Sequence, residues 1–147
     1  MEIAILGLGC FWGPEIKFSK LDGVVKTEVG YCGGNSSETT YKEVCTGTTN
    51  HAEVVKLDFD PKIISYEKIL KFFFEIHDPT TLNSQGPDFG TQYRSEIFYL
   101  NDNQKEIAKK VLNKIDQNLS GKVVTNISLV KNYCSAEEYH QRYLEKR

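Results

Sequence analysis

Ile3-Ala4-Ile5-Leu6-Gly7-Leu8-Gly9-Cys10-Phe11-Trp12-Gly13-Pro14-Glu15 carries a strand, a turn and a helix start in one short stretch. The apolar run 3–8 is too short for a helix and reads as a buried strand. Gly9 and Gly13 let the backbone turn sharply and let a ligand approach closely. Pro14 suits the first turn of a helix, where its missing N–H costs nothing. Cys10 therefore stands at a strand-to-helix junction. A thiol just ahead of a helix feels the positive end of the helix dipole, which is expected to lower its pKa and favour the thiolate. The chain's only tryptophan, Trp12, follows two residues later. The expectation is a reactive thiol beside an apolar grip; the alternative is a buried structural cysteine in a tight turn.

Outward from this junction, residues 13–20 predict a short helix with Ile16 and Phe18 as its apolar content. Residues 24–31 alternate as a second strand and end at Gly30-Tyr31-Cys32-Gly33-Gly34. The polar stretch 35–49 reads as a loop. Val55, Leu57 and Phe59 alternate with Lys56 and Asp58, a half-buried strand that stops before Asp60-Pro61. Ser65 is a candidate N-cap for a helix over 66–77, in which Ile69, Phe72, Phe73 and Ile76 recur at helical spacing. Asp78-Pro79 ends it, and 80–93 form a second long loop. A strand is expected at 94–100. An amphipathic helix follows, with Ile107, Val111, Leu112, Ile115 and Leu119 on one face, and a last strand covers 123–129. Ser135 and Glu138 have the spacing of a capping box opening a final short helix. This succession predicts an α+β fold: a central mixed sheet with helices packed on it, in a single catalytic domain over 1–147. Long loops in a compact domain are usually functional.

The chain has 147 residues, 39% apolar and 26% charged, with a net charge of −2. That balance describes a globular protein and argues against nucleic-acid or anionic-membrane binding. No apolar run is long enough to span a membrane. Met1-Glu2-Ile3-Ala4 has neither a basic region nor a hydrophobic stretch, so no signal peptide is expected and the localisation expected is cytoplasmic. Cys10, Cys32, Cys45 and Cys134 then suggest redox chemistry or metal binding rather than two disulfides. No C-x-x-C pair is present, so no metal site is expected.

The loops gather acid–base candidates: Tyr41, Glu43, His51, Glu53, Asp78, Asp88 and Tyr93. If Glu53 points into a pocket lined by Phe11 and Trp12, desolvation raises its pKa and it can donate a proton near neutral pH. Tyr41 and Tyr93 can hydrogen-bond a substrate oxygen. His51 is a candidate base for a Cys–His pair and a candidate substrate contact. His77 and His140 read as structural.

Several blocks carry a resemblance. Gly-Cys-Phe-Trp-Gly-x-Glu at 9–15, Gly-Tyr-x-Gly-Gly at 30–34, Thr-Tyr-Lys-Glu-Val-Cys-Thr-Gly at 40–47 and His-Ala-Glu at 51–53 resemble the peptide methionine sulfoxide reductase A (MsrA) family. His-Asp-Pro at 77–79, Gln-Gly-x-Asp-x-Gly-Thr-Gln-Tyr-Arg-Ser at 85–95 and Ala-Glu-Glu-Tyr-His-Gln at 136–141 continue the match in order. The resemblance implies a two-layer α/β sandwich, a ferredoxin-like core with long active-site loops. It implies reduction of methionine S-sulfoxide, in proteins and as the free amino acid, through a sulfenic acid on Cys10. Glu53 would protonate the sulfoxide oxygen, Tyr41 and Tyr93 would hydrogen-bond it, and Asp88 would support the polar network. Phe11 and Trp12, with Gly9 and His51, would hold the substrate.

The resemblance further implies no bound cofactor, an external thiol reductant (thioredoxin or small thiols) and a monomer. Many family members have a Gly-rich tail with a recycling cysteine. No such tail follows the block at 136–141, so the sulfenic acid is expected to be resolved by Cys134 or Cys32, or by an external thiol. Cys45 reads as a packing residue.

Overall fold

The computed structural model describes residues 1–146. In chain order the elements are β1 (Glu2–Leu8), α1 (Trp12–Ser19), β2 (Val24–Cys32), α2 (Tyr41–Cys45), β3 (Ala52–Phe59), α3 (Tyr66–Glu75), β4 (Ser84–Gln85) and β5 (Asp88–Phe89). They continue with β6 (Ser95–Tyr99), α4 (Asp102–Asn118), β7 (Asn126–Leu129) and β8 (Cys134–Ser135). One six-stranded sheet runs in the order β7-β6-β1-β3-β2-β8. Only β6 and β7 pair in parallel, so the sheet is mixed as expected.

The alternation of each central strand sends its side chains to opposite faces of the sheet. Ala4, Leu6 and Leu8 of β1 share one face with Val29 and Tyr31 of β2 and Val55, Leu57 and Phe59 of β3. Phe18 of α1, the apolar face of α3, and Ala108 and Val111 of α4 pack on that face. The opposite face carries Ile5, Cys32, Ala52, Val54 and Phe98, with Val130 and Tyr133 against them. The helices thus form one layer over one side of the sheet.

Local chemistry sets the element ends. Ser65 Oγ accepts the Lys68 N–H and starts α3 as expected. Asn101 does the same for α4 through the Gln104 N–H. Buried Gln104 then holds β1 by donating to the Ile3 carbonyl at 2.7 Å and accepting from Leu100 N. The amphipathic face of α4 turns Gln104, Ala108 and Val111 inward, while Leu119 is exposed.

Four expectations need correction. The stretch 35–49 is not all loop, because Thr40 caps the five-residue helix α2 by accepting the Glu43 N–H. The stretch 80–93 contains the β4–β5 hairpin and a 3₁₀ turn at Thr91–Tyr93. The last strand begins at Asn126 rather than 123. Ser135 caps no helix: it pairs with Gly30 in β8 and its hydroxyl donates to Glu28, and only a single 3₁₀ turn follows at Glu138–His140.

Candidate active site

The turn after β1 is built on Gly9, whose φ is +95°, in the region that favours glycine. A Cβ there would lie 2.7 Å from Gln85 Cβ and Cγ. The space a side chain would need at Gly9 is therefore filled by the protein's own Gln85. Gln85 in turn brackets Asp78: its Oε1 accepts the Asp78 N–H at 3.0 Å and its Nε2 donates to the Asp78 carbonyl. This clasp folds the 78–93 segment against the Cys10 turn.

Glu53, on β3, is 1% exposed. Its Oε1 accepts the Phe11 N–H at 3.3 Å, and its Oε2 is buried with no protein partner. Burial pushes its pKa up to about 8; the Phe11 N–H works against that shift, and the negative charge of Asp88 adds to it. Glu53 is thus a carboxylic acid at neutral pH, with one oxygen unclaimed.

Cys10 corrects the sequence expectation. Burial pushes its thiol up to about 11, the Trp12 N–H opposes this, and Glu53 and Asp88 add to it. The dipole of α1 is local and modest. The surroundings supplied by β3 and the 84–93 hairpin outweigh it, so the resting site holds a thiol beside a neutral carboxyl group.

Tyr41 and Tyr93 close the site. Tyr41 opens α2, and its side chain interacts with those of Tyr93 and Cys45. Both phenols are held protonated, first by burial and then by neighbouring groups that include Glu53. The structure therefore brings Cys10, Glu53, Asp88, Tyr41 and Tyr93 together. Phe11 is 1% exposed, with its ring 5.8 Å from Tyr31, so it forms a buried base, whereas Trp12 is half-buried.

His51 does not join them. Its ring is buried, its Nε2 lies 2.9 Å from the Ser36 carbonyl oxygen, and it fills the space a Cβ on Gly34 would need. It organises the 34–36 loop and is neither a base for Cys10 nor a substrate contact. Cys32 is also misplaced for resolving a sulfenic acid: it is fully buried on the sheet face opposite Tyr31, and its thiol donates to the Lys131 carbonyl. Cys134 pairs with Tyr31, which pairs with Glu53, so all three side chains share one face. Cys45 is exposed, so it is not a packing residue. All four cysteines are free thiols.

Other groups here lie within the quoted blocks, but their sequence does not say what they hold. Buried Glu15 accepts the Thr27 hydroxyl and the Arg142 N–H, tying the chain's end to α1. Glu137 accepts from the Tyr31 hydroxyl and from the Tyr41 N–H, fixing the start of α2. Arg94 donates to Glu96, to the Thr91 carbonyl and to the Asn50 carbonyl, clamping the turn that carries Tyr93 onto the approach to β3. These residues are polar and scattered in sequence, and only the folded register shows what they hold.

A half-buried thiol, a neutral carboxyl group and two phenols beside an indole suit reduction of a small polar oxygen carried on an apolar group, the work of a thiol oxidoreductase. Comparisons with known proteins narrow the class. Residues 2–147 match the family described as peptide methionine sulfoxide reductase. The chain is 83% identical to the peptide methionine sulfoxide reductase MsrA of Pelagibacter ubique, over all of both chains. The crystal structure of Mxr1 from Saccharomyces cerevisiae in reduced form superposes with a TM-score of 0.95 at 42% identity, covering 99% of this chain and 85% of that one. The same yeast protein in complex with Trx2 gives 0.70 at 28% identity, covering 97% and 84%. The chain belongs to the MsrA family of peptide methionine sulfoxide reductases and is an oxidoreductase acting on peptide methionine sulfoxide.

Proposed function

We propose that the chain reduces the S epimer of methionine sulfoxide, in oxidised proteins and as the free amino acid, and so repairs oxidised methionine. One observation carries the mechanism: the buried Glu53 carboxyl is neutral near pH 7, has an unclaimed oxygen, and lies beside Cys10. Sulfoxide sulfur is a poor electrophile until its oxygen is protonated or tightly hydrogen-bonded. Glu53 delivers the proton to that oxygen while Tyr41 and Tyr93 donate to it, stabilising charge where it develops. The Cys10 sulfur attacks the sulfoxide sulfur. Oxygen passes to Cys10 as a sulfenic acid, the thioether leaves, and the thiol's own proton returns to the Glu53 carboxylate. Two electrons move from Cys10 to the methionine sulfur, and the site is restored except for the sulfenic acid. The Trp12 indole grips the terminal methyl group, over the buried Phe11 base, and Asp88 maintains the polar network.

Regeneration needs two thiol equivalents and releases water. Cys134, on the Glu53 face of the sheet, is the internal thiol of this scheme. A thioredoxin-like protein or small thiols complete it, a role supported by the yeast relative's complex with Trx2. No cofactor is used. Free thiols support a reducing compartment, the cytoplasm. Residues 1–147 act as one monomeric domain. Its β1-α1-β2-β3-α3-β6 unit reads as a ferredoxin-like core, supported by the order β6-β1-β3-β2 with antiparallel neighbours.

An assay of the two separated sulfoxide epimers, with dithiothreitol as reductant, tests this function. Turnover of the S epimer alone is expected. Turnover of the R epimer at an equal rate, or binding without turnover, contradicts it.

A further inference from the structure

We infer that His140 is a positioning residue for the reaction: it fixes the Trp12 indole at the angle from which the ring meets the substrate methyl. The inference rests on the reading of Trp12 given above. The Trp12 Nε1–H donates to His140 Nδ1 at 3.0 Å, and the two ring centroids are 5.7 Å apart. Tyr143 stacks on the indole with centroids 3.8 Å apart and planes 11° from parallel. Trp12 is thus held at its edge by a hydrogen bond and across its face by a second ring.

The His140 ring is itself fixed. It is 2% exposed. It packs against Phe11 at 5.3 Å, Tyr41 at 4.6 Å and Tyr139 at 4.3 Å. The backbone on its C-terminal side is fastened: Gln141 exchanges hydrogen bonds with both backbone groups of Val29, and the Arg142 N–H donates to Glu15. One ring therefore touches both the apolar grip, through Phe11 and Trp12, and the phenol Tyr41 that serves the oxygen.

Packing alone does not account for a histidine here. Its Nε2 is buried with no partner. An unsatisfied buried polar atom is destabilising, and a phenylalanine would fill the same space without that cost. What the imidazole adds is a lone pair at Nδ1. Accepting at Nδ1 places the neutral ring's proton on Nε2, so the orphaned atom is the consequence of the bond to Trp12.

The chain has a single tryptophan, so ¹⁵N labelling of indole gives one Nε1–H signal to follow. His140→Phe keeps the ring and removes the acceptor. His140→Asn puts an amide oxygen near the former Nδ1. In His140→Phe the indole signal is expected to move upfield and to exchange faster with solvent. KM for a methyl sulfoxide is expected to rise about tenfold, with kcat within about threefold, the pattern of lost uniform binding. His140→Asn is expected to restore both towards the unaltered chain. An unmoved indole signal in His140→Phe overturns the inference, and so does a moved signal with KM unchanged in both variants. Failure of the proposed function is visible separately, as absence of sulfoxide reduction by the unaltered protein.

Discussion

The Phe11 N–H reaches Glu53 Oε1 at 3.3 Å and leaves Oε2 buried without a partner. This one contact orients the acid at the foot of the helix that follows Cys10 and keeps the second oxygen for a ligand. It also fixes how stability responds to pH. Glu53 holds its proton up to about pH 8 in the folded chain, against the ordinary carboxylate range in the unfolded one. Its contribution to stability is therefore full in acid and is lost as pH rises towards 8. Glu53→Gln cannot ionise, so it should melt level with the unaltered protein at about pH 4, below the ordinary carboxylate value, and higher at pH 9. The gain there is on the order of a few kcal/mol. Thermal melts at the two pH values check this, and equal melting temperatures at pH 9 contradict it.

In the proposed reaction Tyr41 and Tyr93 both donate to the substrate oxygen, and their side chains interact. Tyr41→Phe and Tyr93→Phe should each lower kcat about tenfold, and the double variant about a hundredfold or more, with smaller changes in KM. Steady-state kinetics decide; an active double variant removes the phenols from catalysis.

Arg94 and Glu96 form a buried ion pair, 11% and 7% exposed. Arg94→Met should cost about 3–5 kcal/mol in urea unfolding, because it leaves Glu96 buried without its charge partner and frees two backbone carbonyls. Arg94→Met with Glu96→Leu should recover much of that loss. A cost below about 1 kcal/mol for the single variant would show that the clamp is not needed.

Cys134 shares a sheet face with Glu53, whereas Cys32 lies on the opposite face. After one equivalent of sulfoxide without reductant, the unaltered protein should be about 2 Da lighter, as a disulfide. Cys134→Ser should instead be about 16 Da heavier, as a sulfenic acid. Cys32→Ser should behave as the unaltered chain. Loss of the disulfide in Cys45→Ser instead would transfer the role to the exposed thiol at the end of α2.

Local rules made much of this architecture legible. Glycine and proline around Cys10 dictate a strand-to-helix turn whatever surrounds it, and Ser65 with its apolar spacing dictates α3. The reactive blocks also pointed to Glu53, Tyr41, Tyr93 and Asp88, whose charges and side chains act on one another in the fold. What escaped depends on tertiary contact. A five-residue helix such as α2 has no measurable period, and the β4–β5 hairpin is too short to alternate. The Cys10 thiol was misjudged because the helix dipole is written in the local sequence, while the burial that outweighs it comes from β3 and the distant 84–93 segment. His51 was misjudged because its partners, Gly34 and Ser36, are reached only when β2 and β3 pair. Ser135 has the spacing of a cap, yet pairing with Gly30 and the bond to Glu28 claim it for the sheet edge.

Single-turnover reduction of a methyl S-sulfoxide, followed from pH 6 to 10 in the unaltered chain and in Glu53→Gln, tests most directly whether Glu53 supplies the proton as Cys10 attacks. The unaltered protein should slow as pH rises through about 8, and Glu53→Gln should be slower by about a hundredfold or more. A Glu53→Gln variant that keeps the full rate, or an unaltered protein whose rate does not fall above pH 8, would contradict it.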